Sequence, residues 1–171
     1  MENLTDELLN TKIEYFDKKE TFQIAVKVKE WLKNKSAYAV ASNQLGINHR
    51  FFVAGRKYKK VGLPTDLFLN PSYQAIYESE KIVCREQCLS YPDKVFYIER
   101  YTDILLNYYD PYSKTDESIK LSGLASIICQ HEVGHLNGES DEDLTIDLDM
   151  VDKNNLYIPT AKKLIKYSEG V

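Results

Sequence analysis

The segment His131-Glu132-Val133-Gly134-His135 carries the clearest chemical signal in the chain. Residues four apart on a helix project from one face about one turn apart, so both imidazoles could bind one metal ion. Glu132 is offset by about 100° around the helix axis and would stand beside the open coordination position. The spacing therefore predicts a metal site in which Glu132 moves protons. The alternative interpretation is that two histidines merely pack on an apolar helix face.

Cys88 is the best candidate for a third metal ligand. One thiolate and two imidazoles leave the fourth position of a tetrahedral site vacant, which is typical of a catalytic rather than a structural metal. Carboxylates further along the chain, such as Glu139 or Asp143, would instead make a site of the ordinary metalloprotease kind. Spacing alone leaves both possibilities open.

The other two cysteines, Cys84 and Cys129, are predicted to pack in the core. Cys84 could join Cys88 and the two histidines in a closed structural zinc site. However, residues four apart in an extended strand are separated by roughly 13 Å, too far to share one ion without a bulge. Cys129 lies two residues before the first histidine and points elsewhere on the helix, so we interpret it as a small buried hydrophobic residue.

Composition places the chain among ordinary globular proteins and excludes several functional classes. Its 171 residues, 43% hydrophobic and 28% charged, suit one compact domain over residues 1–171. The net charge of -4 is mild and the lysines are scattered, so DNA binding is not expected. The apolar runs are too short for a membrane span, and the first residues lack the regions of a signal peptide. An odd number of cysteines fits reduced thiols and a cytoplasmic location.

The candidate ligands need a framework, and the sequence divides into a helix, a run of strands and a second helix. Apolar residues recur at helical spacing from Glu20 to about Lys35, which predicts an amphipathic helix. Short runs rich in Val, Ile, Phe and Tyr follow, with connections too short for crossover helices, so their pairing should be largely antiparallel. The predicted strands are Arg50–Val53, Ser72–Val83, Lys94–Arg100 and Asp103–Tyr108.

The helix that carries both histidines is expected to be buried. It should begin at Ser122-Gly123 and end at Asn137-Gly138, where the glycine is a typical C-cap residue. The acidic stretch Glu139–Asp149 is interpreted as a solvated loop. Thr160–Tyr167 is predicted to form a short terminal helix.

Three segments resemble, in order, the three motifs of the peptide deformylase family. The family's Gly-x-Gly-Leu-Ala-Ala-x-Gln segment corresponds to Ala37–Gln44, its Glu-Gly-Cys-Leu-Ser segment to Glu86–Ser90, and its Gln-His-Glu-x-x-His helix to Gln130–His135. The resemblance covers roughly Phe22 to Gly138 and marks a divergent member. It implies an α+β fold with antiparallel β-sheets packed around a central helix that carries the His-Glu-x-x-His motif.

The resemblance also implies a role for each site residue. Three side chains are implied as metal ligands, namely Cys88, His131 and His135. Glu132 would accept a proton from the attacking water and deliver it to the departing amine. Gln44 and the backbone N–H of Leu89 would donate hydrogen bonds to the developing oxyanion.

The family's substrate is the formylated methionine at the start of a nascent chain. A linear thioether side chain needs a snug apolar pocket. The residues that we expect to line the substrate site are Ala39, Val40, Gln87, Tyr91 and Ile128. Each of the apolar ones could equally be an ordinary core residue.

Several residues depart from the family pattern near the site. Ala37 and Ala39 replace glycines, so a requirement for positive φ there would strain the cleft. Gln87 replaces a glycine beside the ligand cysteine and could intrude on the substrate groove. Gly134 replaces an aspartate within the histidine helix and removes a possible partner for Arg100.

The resemblance implies one divalent metal ion as cofactor, Fe²⁺ in the cell, with Zn²⁺ or Ni²⁺ as alternatives in purified protein. It implies N-formylmethionyl peptides as substrates and the ribosome as a further partner. Two alternative functions stay open at this point. One is an amidase for another acyl group, and the other is an altered or inactive protein that binds peptide N-termini without turnover.

Overall fold

The computed structural model describes residues 3–160 and 163–167, and within these ranges two β-sheets surround one central helix. The helices are α1 (Lys18–Leu32), α2 (Gly123–Leu136) and α3 (Asp141–Leu144). The strands are β1 (Ala39–Ala41), β2 (Phe51–Ala54), β3 (Leu67–Ala75), β4 (Lys81–Cys88), β5 (Tyr91–Tyr101), β6 (Asp103–Asp110), β7 (Thr115–Ser122), β8 (Leu156–Pro159) and β9 (Leu164–Lys166). Short 3-10 turns occupy Ser42–Leu45, Leu148–Met150 and Lys153–Asn155.

The two sheets differ in size and in strand direction. The larger sheet has the order β1-β2-β3-β6-β7, and each neighbouring pair is antiparallel. The smaller sheet has the order β5-β4-β8-β9, in which β4 and β8 run parallel and the other pairs are antiparallel. The expected α+β class, with mainly antiparallel sheets around the histidine helix, is therefore confirmed.

Helix α1 is amphipathic, as its sequence predicts. Asp17 caps its first turn by accepting a hydrogen bond from the N–H of Glu20 at 2.9 Å. Its buried residues Ala25, Val28 and Leu32 pack on the outer face of the larger sheet. The helix ends three residues before the predicted limit, because the residues that follow are polar and exposed and add nothing to the buried stripe.

Helix α2 is buried on nearly all sides, which is what a core helix without a polar face requires. It begins at Gly123 and ends in a Schellman motif, in which Gly138 has φ +79° and the N–H of Glu139 donates to the carbonyl of Gly134 at 2.9 Å. Both predicted ends are confirmed. None of the described helices combines the length and the apolar character that crossing a membrane requires.

The strand predicted over Ser72–Val83 is wrong as a single element. Strand β3 ends at Ala75, β4 begins at Lys81, and a turn closed by a hydrogen bond from Ser79 N–H to the carbonyl of Ile76 separates them. The two strands lie in different sheets. The polar residues Glu78–Lys81 mark the turn in the sequence, but they do not reveal that the chain crosses there from one sheet to the other.

The last third of the chain departs most from the sequence-based expectations. The helix predicted over Thr160–Tyr167 is wrong, because Leu164–Lys166 form strand β9, which pairs with β8. Residues 161 and 162 lie outside the described ranges. The acidic stretch is not wholly a solvated loop either, since Asp141 is buried at the start of α3. Strand β7 was not predicted. Leu121 is the one buried residue of this strand, so its sequence lacks an alternating apolar pattern.

Candidate metal centre

Strand β4 ends at the predicted ligand Cys88 and places it beside the central helix. Cys84, Glu86 and Cys88 alternate along the strand and are buried, whereas the residues between them are exposed. Side chains two apart on a strand share a face, so these three point the same way. Cys84 contacts Ile127 of α2, which shows that this face is turned toward the histidine helix.

The structure brings Cys88, His131 and His135 together. The two Nε2 atoms of the histidines are 3.0 Å apart, and the Sγ of Cys88 is 3.4 Å from Nε2 of His135. Tetrahedral coordination with ordinary metal–nitrogen and metal–sulfur bonds would separate two nitrogens by about 3.3 Å and a nitrogen from a sulfur by about 3.5 Å. The donor set therefore fits one metal ion after shifts of a few tenths of an ångström.

Cys84 and Cys129 lie outside this group. Cys84 belongs to a small apolar cluster with Ile82 and Ile127. Burial raises the pKa of both thiols, which keeps them protonated. The closed zinc site with Cys84 as a ligand is contradicted, and the interpretation of both residues as core packing is confirmed.

A fourth potential ligand, Asp141, joins the group. One ligand atom from each of Cys88, His131, His135 and Asp141 lies within 4.8 Å of the others. The sequence does not mark Asp141. The carboxylates considered as alternative ligands were its neighbours Glu139 and Asp143, and in the described part of the chain neither belongs to this group. Nothing in an acidic stretch marks which carboxylate will be buried.

A buried ion pair orients the first histidine. Arg100 donates two hydrogen bonds of 2.8 Å to the two carboxylate oxygens of Glu86. Glu86 Oε1 accepts a hydrogen bond from Nδ1–H of His131 at 2.9 Å. This contact leaves Nε2 of His131 free for a cation. Burial opposes ionisation of Glu86, but Arg100 and His131 outweigh it and lower its pKa to about 2. Arg100 therefore keeps a partner although residue 134 is glycine.

The two histidines differ in their affinity for a proton. Burial opposes charge on His131, but contacts with Cys88 and Glu86 raise its pKa well above the ordinary value. Burial and the neighbouring charge of His131 lower the pKa of His135 well below the ordinary value. His135 is thus a neutral donor, and metal binding at His131 has to release a proton.

Glu132 is 3% exposed and follows His131 directly in the helix. Burial raises its pKa to about 7, with His131 opposing this effect and Asp141 and Glu86 adding to it. A carboxyl group with a pKa near the operating pH is suited to both accepting and donating protons.

Gln44 reaches the site from the turn at Ser42–Leu45. The N–H of Ala41 donates to Oε1 of Gln44 at 2.8 Å, and this contact fixes which end of the amide is the donor. The Nε2 group consequently points at Cys88 Sγ, 3.5 Å away, and at Ser90 Oγ, 3.0 Å away. Leu89, whose N–H was predicted as a second donor, directly follows Cys88 at the end of β4.

Asn43 is a supporting residue that the sequence analysis did not identify. Its Nδ2 donates to the carbonyl of His135 at 2.5 Å, so the turn that carries Gln44 is tied directly to the helix that carries the ligands. The signal in the sequence that could have identified Asn43 is its place beside Gln44 in the motif segment Ala37–Gln44.

The structure separates the predicted substrate-lining residues. Ala39 and Ile128 belong to the core between the larger sheet and α2. Val40 is fully buried on the other side of β1, in the apolar cluster that α1 forms with the outer face of the larger sheet, called here the α1 cluster. Tyr91 is half-buried beside Phe96, and Gln87 is exposed. Positive φ is not found at Ala37 or Ala39, so the strain considered for these alanines does not arise.

Comparison with known proteins gives concordant results. The model of the polypeptide deformylase family matches residues 3–144. A peptide deformylase from Helicobacter hepaticus is 29% identical over 145 residues, which cover 82% of this chain and 76% of the relative. One from Karelsulcia muelleri is 32% identical over 106 residues, covering 58% of this chain. The crystal structure of peptide deformylase from Thermotoga maritima superposes with a TM-score of 0.70 and 26% identity, covering 85% of this chain and 97% of that one.

The match with the Karelsulcia muelleri protein covers only part of that relative. The aligned segment spans about half of the Karelsulcia muelleri protein, at 52% of its length. The family match, in contrast, takes in all three motifs and ends at Leu144, with the last residue of α3. Because this match spans most of the sequence, the chain belongs to the polypeptide deformylase family.

Proposed function

We propose that this protein is a metal-dependent hydrolase that removes the formyl group from N-formylmethionyl peptides. The observation that carries the proposal is the convergence of Cys88 Sγ and the two histidine Nε2 atoms, at 3.0 and 3.4 Å, next to the buried Glu132. One thiolate and two imidazoles are the donors of a catalytic site rather than of a closed structural one. Membership of the family points to the same reaction.

The proposed metal ligands are Cys88, His131 and His135. Imidazole and thiolate donors suit iron, zinc and nickel, so the chemistry of the donors alone does not select the ion. The family resemblance favours Fe²⁺ in the cell. When bound, a divalent ion supplies Lewis acidity that makes a water molecule available as a nucleophile near neutral pH.

Glu132 is proposed as the proton carrier. It would accept a proton from the attacking water and return it to the amine nitrogen as the amide bond breaks. Its burial and its position next to His131 support this role. Gln44 Nε2 and the backbone N–H of Leu89 would donate hydrogen bonds to the oxyanion, and the contact between Gln44 Oε1 and Ala41 N–H preorganises the first donor.

Membership of the family supports formylated peptides as the substrate class. The formylated methionine of a nascent peptide is the proposed substrate, with Ala39, Tyr91 and Ile128 beside it and with Gln87 at the exposed rim. A cytoplasmic location and contact with the ribosome belong to the same proposal. Val40 would line the cleft through its backbone, because its side chain is buried against the α1 cluster.

The test is formate release from formyl-Met peptides by protein loaded anaerobically with Fe²⁺, or with Ni²⁺. We expect turnover by the wild type and a loss of roughly 10²- to 10⁴-fold in kcat for Glu132→Gln at unchanged metal content. Glu78→Gln is the matched control, because Glu78 is exposed in the turn between β3 and β4. Absence of formate from the metal-loaded wild type would reject the proposal.

Two further substrates distinguish the alternatives. Faster release of acetate from acetyl-Met peptides than of formate would identify an amidase for another acyl group. Tight binding of formyl-Met peptides without turnover would identify an inactive binding protein. The proposed deformylase should prefer the formyl group over both the acetylated and the free peptide.

A further inference from the structure

The end of helix α2 sends the chain back along its metal-binding face. The Schellman motif reverses the direction at Gly138, so that Glu139 lies over the helix rather than beyond it. A Cβ on Gly134 would come within 2.9 Å of the carboxylate of Glu139, which shows how closely the Glu139 side chain lies over the helix. The reversal brings Asp141 beside His131, a full turn before the end of the motif.

Strand β5 holds the returning segment in place. The N–H of Tyr97 donates to Oγ1 of Thr145 at 2.9 Å, and the N–H of Ile146 donates to the carbonyl of Tyr97 at 2.7 Å. Lys94 forms an ion pair of 2.5 Å with Glu142. Helix α3 is therefore attached to β5 at both of its ends, and its first residue has a defined position.

The carboxylate of Asp141 is buried beside Cys88, which contacts one of its oxygens, and the other oxygen is left unsatisfied. The residue is 5% exposed, and its Oδ2 has no hydrogen-bond partner in the described part of the chain. Its Oδ1 is 3.8 Å from Nδ1 of His131, which is too long for a hydrogen bond. The nearby Arg100 already directs two donors to Glu86. A buried carboxylate is costly unless a cation or a set of donors compensates it.

We propose that Asp141 is a fourth protein ligand of the metal ion. Its ligand atom and those of Cys88, His131 and His135 lie within 4.8 Å of one another. Ligand atoms of a four-coordinate tetrahedral site are about 3.4 Å apart for bonds of about 2.1 Å, so the widest separation in the group has to close by up to about 1.4 Å to complete the site. The metal then supplies the compensation that the orphaned Oδ2 lacks.

This inference rests on the metal-dependent function proposed above and changes one feature of it. A site with three protein ligands keeps an open position, whereas Asp141 fills that position in the resting protein. The water and the substrate oxygen then have to displace Asp141 or enter as additional ligands. The short helix α3 becomes part of the active site, although its sequence contains no metal-binding motif.

The test replaces Asp141 by Asn and, separately, by Ala in the full chain loaded with Co²⁺. The visible absorption bands of cobalt report the atoms that are bound to the ion. We expect altered bands and roughly 100-fold weaker Zn²⁺ binding in chelator competition for both variants. Asp143→Asn is the matched control, because Asp143 is exposed two residues further along α3, and it should keep the wild-type bands and affinity.

Wild-type cobalt bands in every folded Asp141 variant would overturn the inference, even if the affinity falls, since a residue that only orients a ligand leaves the bound atoms unchanged. Asp141→Asn preserves the size of the side chain, so the test does not depend on Asp141→Ala folding. Formate release is measured in parallel on the wild type. Turnover with unchanged bands in the variants rejects only the fourth ligand, whereas altered bands without turnover in the wild type reject only the deformylase function.

Discussion

Two buried arginines reach helix α2, and they are satisfied by partners of opposite kinds. Arg100 directs its guanidinium to the carboxylate of Glu86 and lies 3.3 Å from Nδ1 of His131. Arg50 donates its hydrogen bonds, within the described part of the chain, to neutral oxygens. Its acceptors are the carbonyls of Ile13, Pro71 and Leu136 and the side-chain oxygen of Asn137.

The difference follows from where each arginine meets the helix. The C-terminal carbonyl of Leu136 carries partial negative charge and lacks a partner within α2, so together with the other neutral acceptors it can compensate Arg50 without a carboxylate. Burial lowers the pKa of Arg50, whereas Glu86 outweighs burial and raises the pKa of Arg100. Arg50 thus holds the end of the helix in place, while Arg100 controls the charge and orientation of His131, a proposed metal ligand.

Substitution of Arg100 should have the largest effect on stability. In Arg100→Met the Glu86 carboxylate stays buried without its counter-charge, so we expect a loss of about 3–5 kcal/mol in the free energy of unfolding. Denaturant unfolding of the metal-free protein measures it. The double variant Glu86→Leu with Arg100→Met should regain most of the loss but still bind metal weakly, since His131 has lost its acceptor. A loss below about 1 kcal/mol for the single variant would contradict the comparison.

Removal of the metal should distinguish the two arginines next. Free metal at about 1,000 times its Kd should stabilise the wild type by about 4 kcal/mol relative to the chelated protein. Arg50→Met should keep this increment. Arg100→Met should lose roughly 1.4–2.8 kcal/mol of it, the equivalent of 10- to 100-fold weaker binding. Thermal unfolding with and without chelator measures the increments. Equal increments for both variants would contradict a specific role of Arg100 at the metal site.

Arg50→Met should destabilise the fold moderately and leave the chemistry of the site intact. Removing charged donors from buried carbonyls should cost about 2–3 kcal/mol, because neighbouring hydrogen bonds do not add independently. Arg50→Lys should recover only part of this, since an ammonium group cannot span acceptors that lie in several directions. A Zn²⁺ affinity reduced as strongly as in Arg100→Met would show that the two arginines are not separate in function.

The smallest effect is expected at Gly134, which lies between the two contact points. Gly134→Ala gains helix propensity, and the new Cβ meets only the end of the flexible Glu139 side chain. We expect an increase of up to about 1 kcal/mol in the free energy of unfolding, measured in urea. The same substitution combined with Glu139→Ala should gain at least as much. A loss above about 1 kcal/mol would mean that the chain cannot give way at Glu139.

The central helix and three of the proposed metal ligands could be predicted from the sequence because their signals are local or belong to short motifs. The repeat of His131 and His135 defines one helix face without knowledge of the rest of the fold. Gly138 marks the end of that helix through its backbone freedom alone. Cys88 could be named as a candidate because cysteines are few, and the length of an extended strand correctly separated it from Cys84, four residues away on the same face.

Only the tertiary structure decided the remaining features, because each depends on contacts between distant segments. The run from Ser72 to Val83 has β-favouring residues at both ends, and its division between two sheets depends on pairing partners far along the chain. The short strand Leu164–Lys166 exists because β8 lies beside it. Asp141 is one of 26 acidic residues, and no local pattern distinguishes it. Its burial beside the histidines results from the reversal at Gly138 and the attachment of α3 to β5.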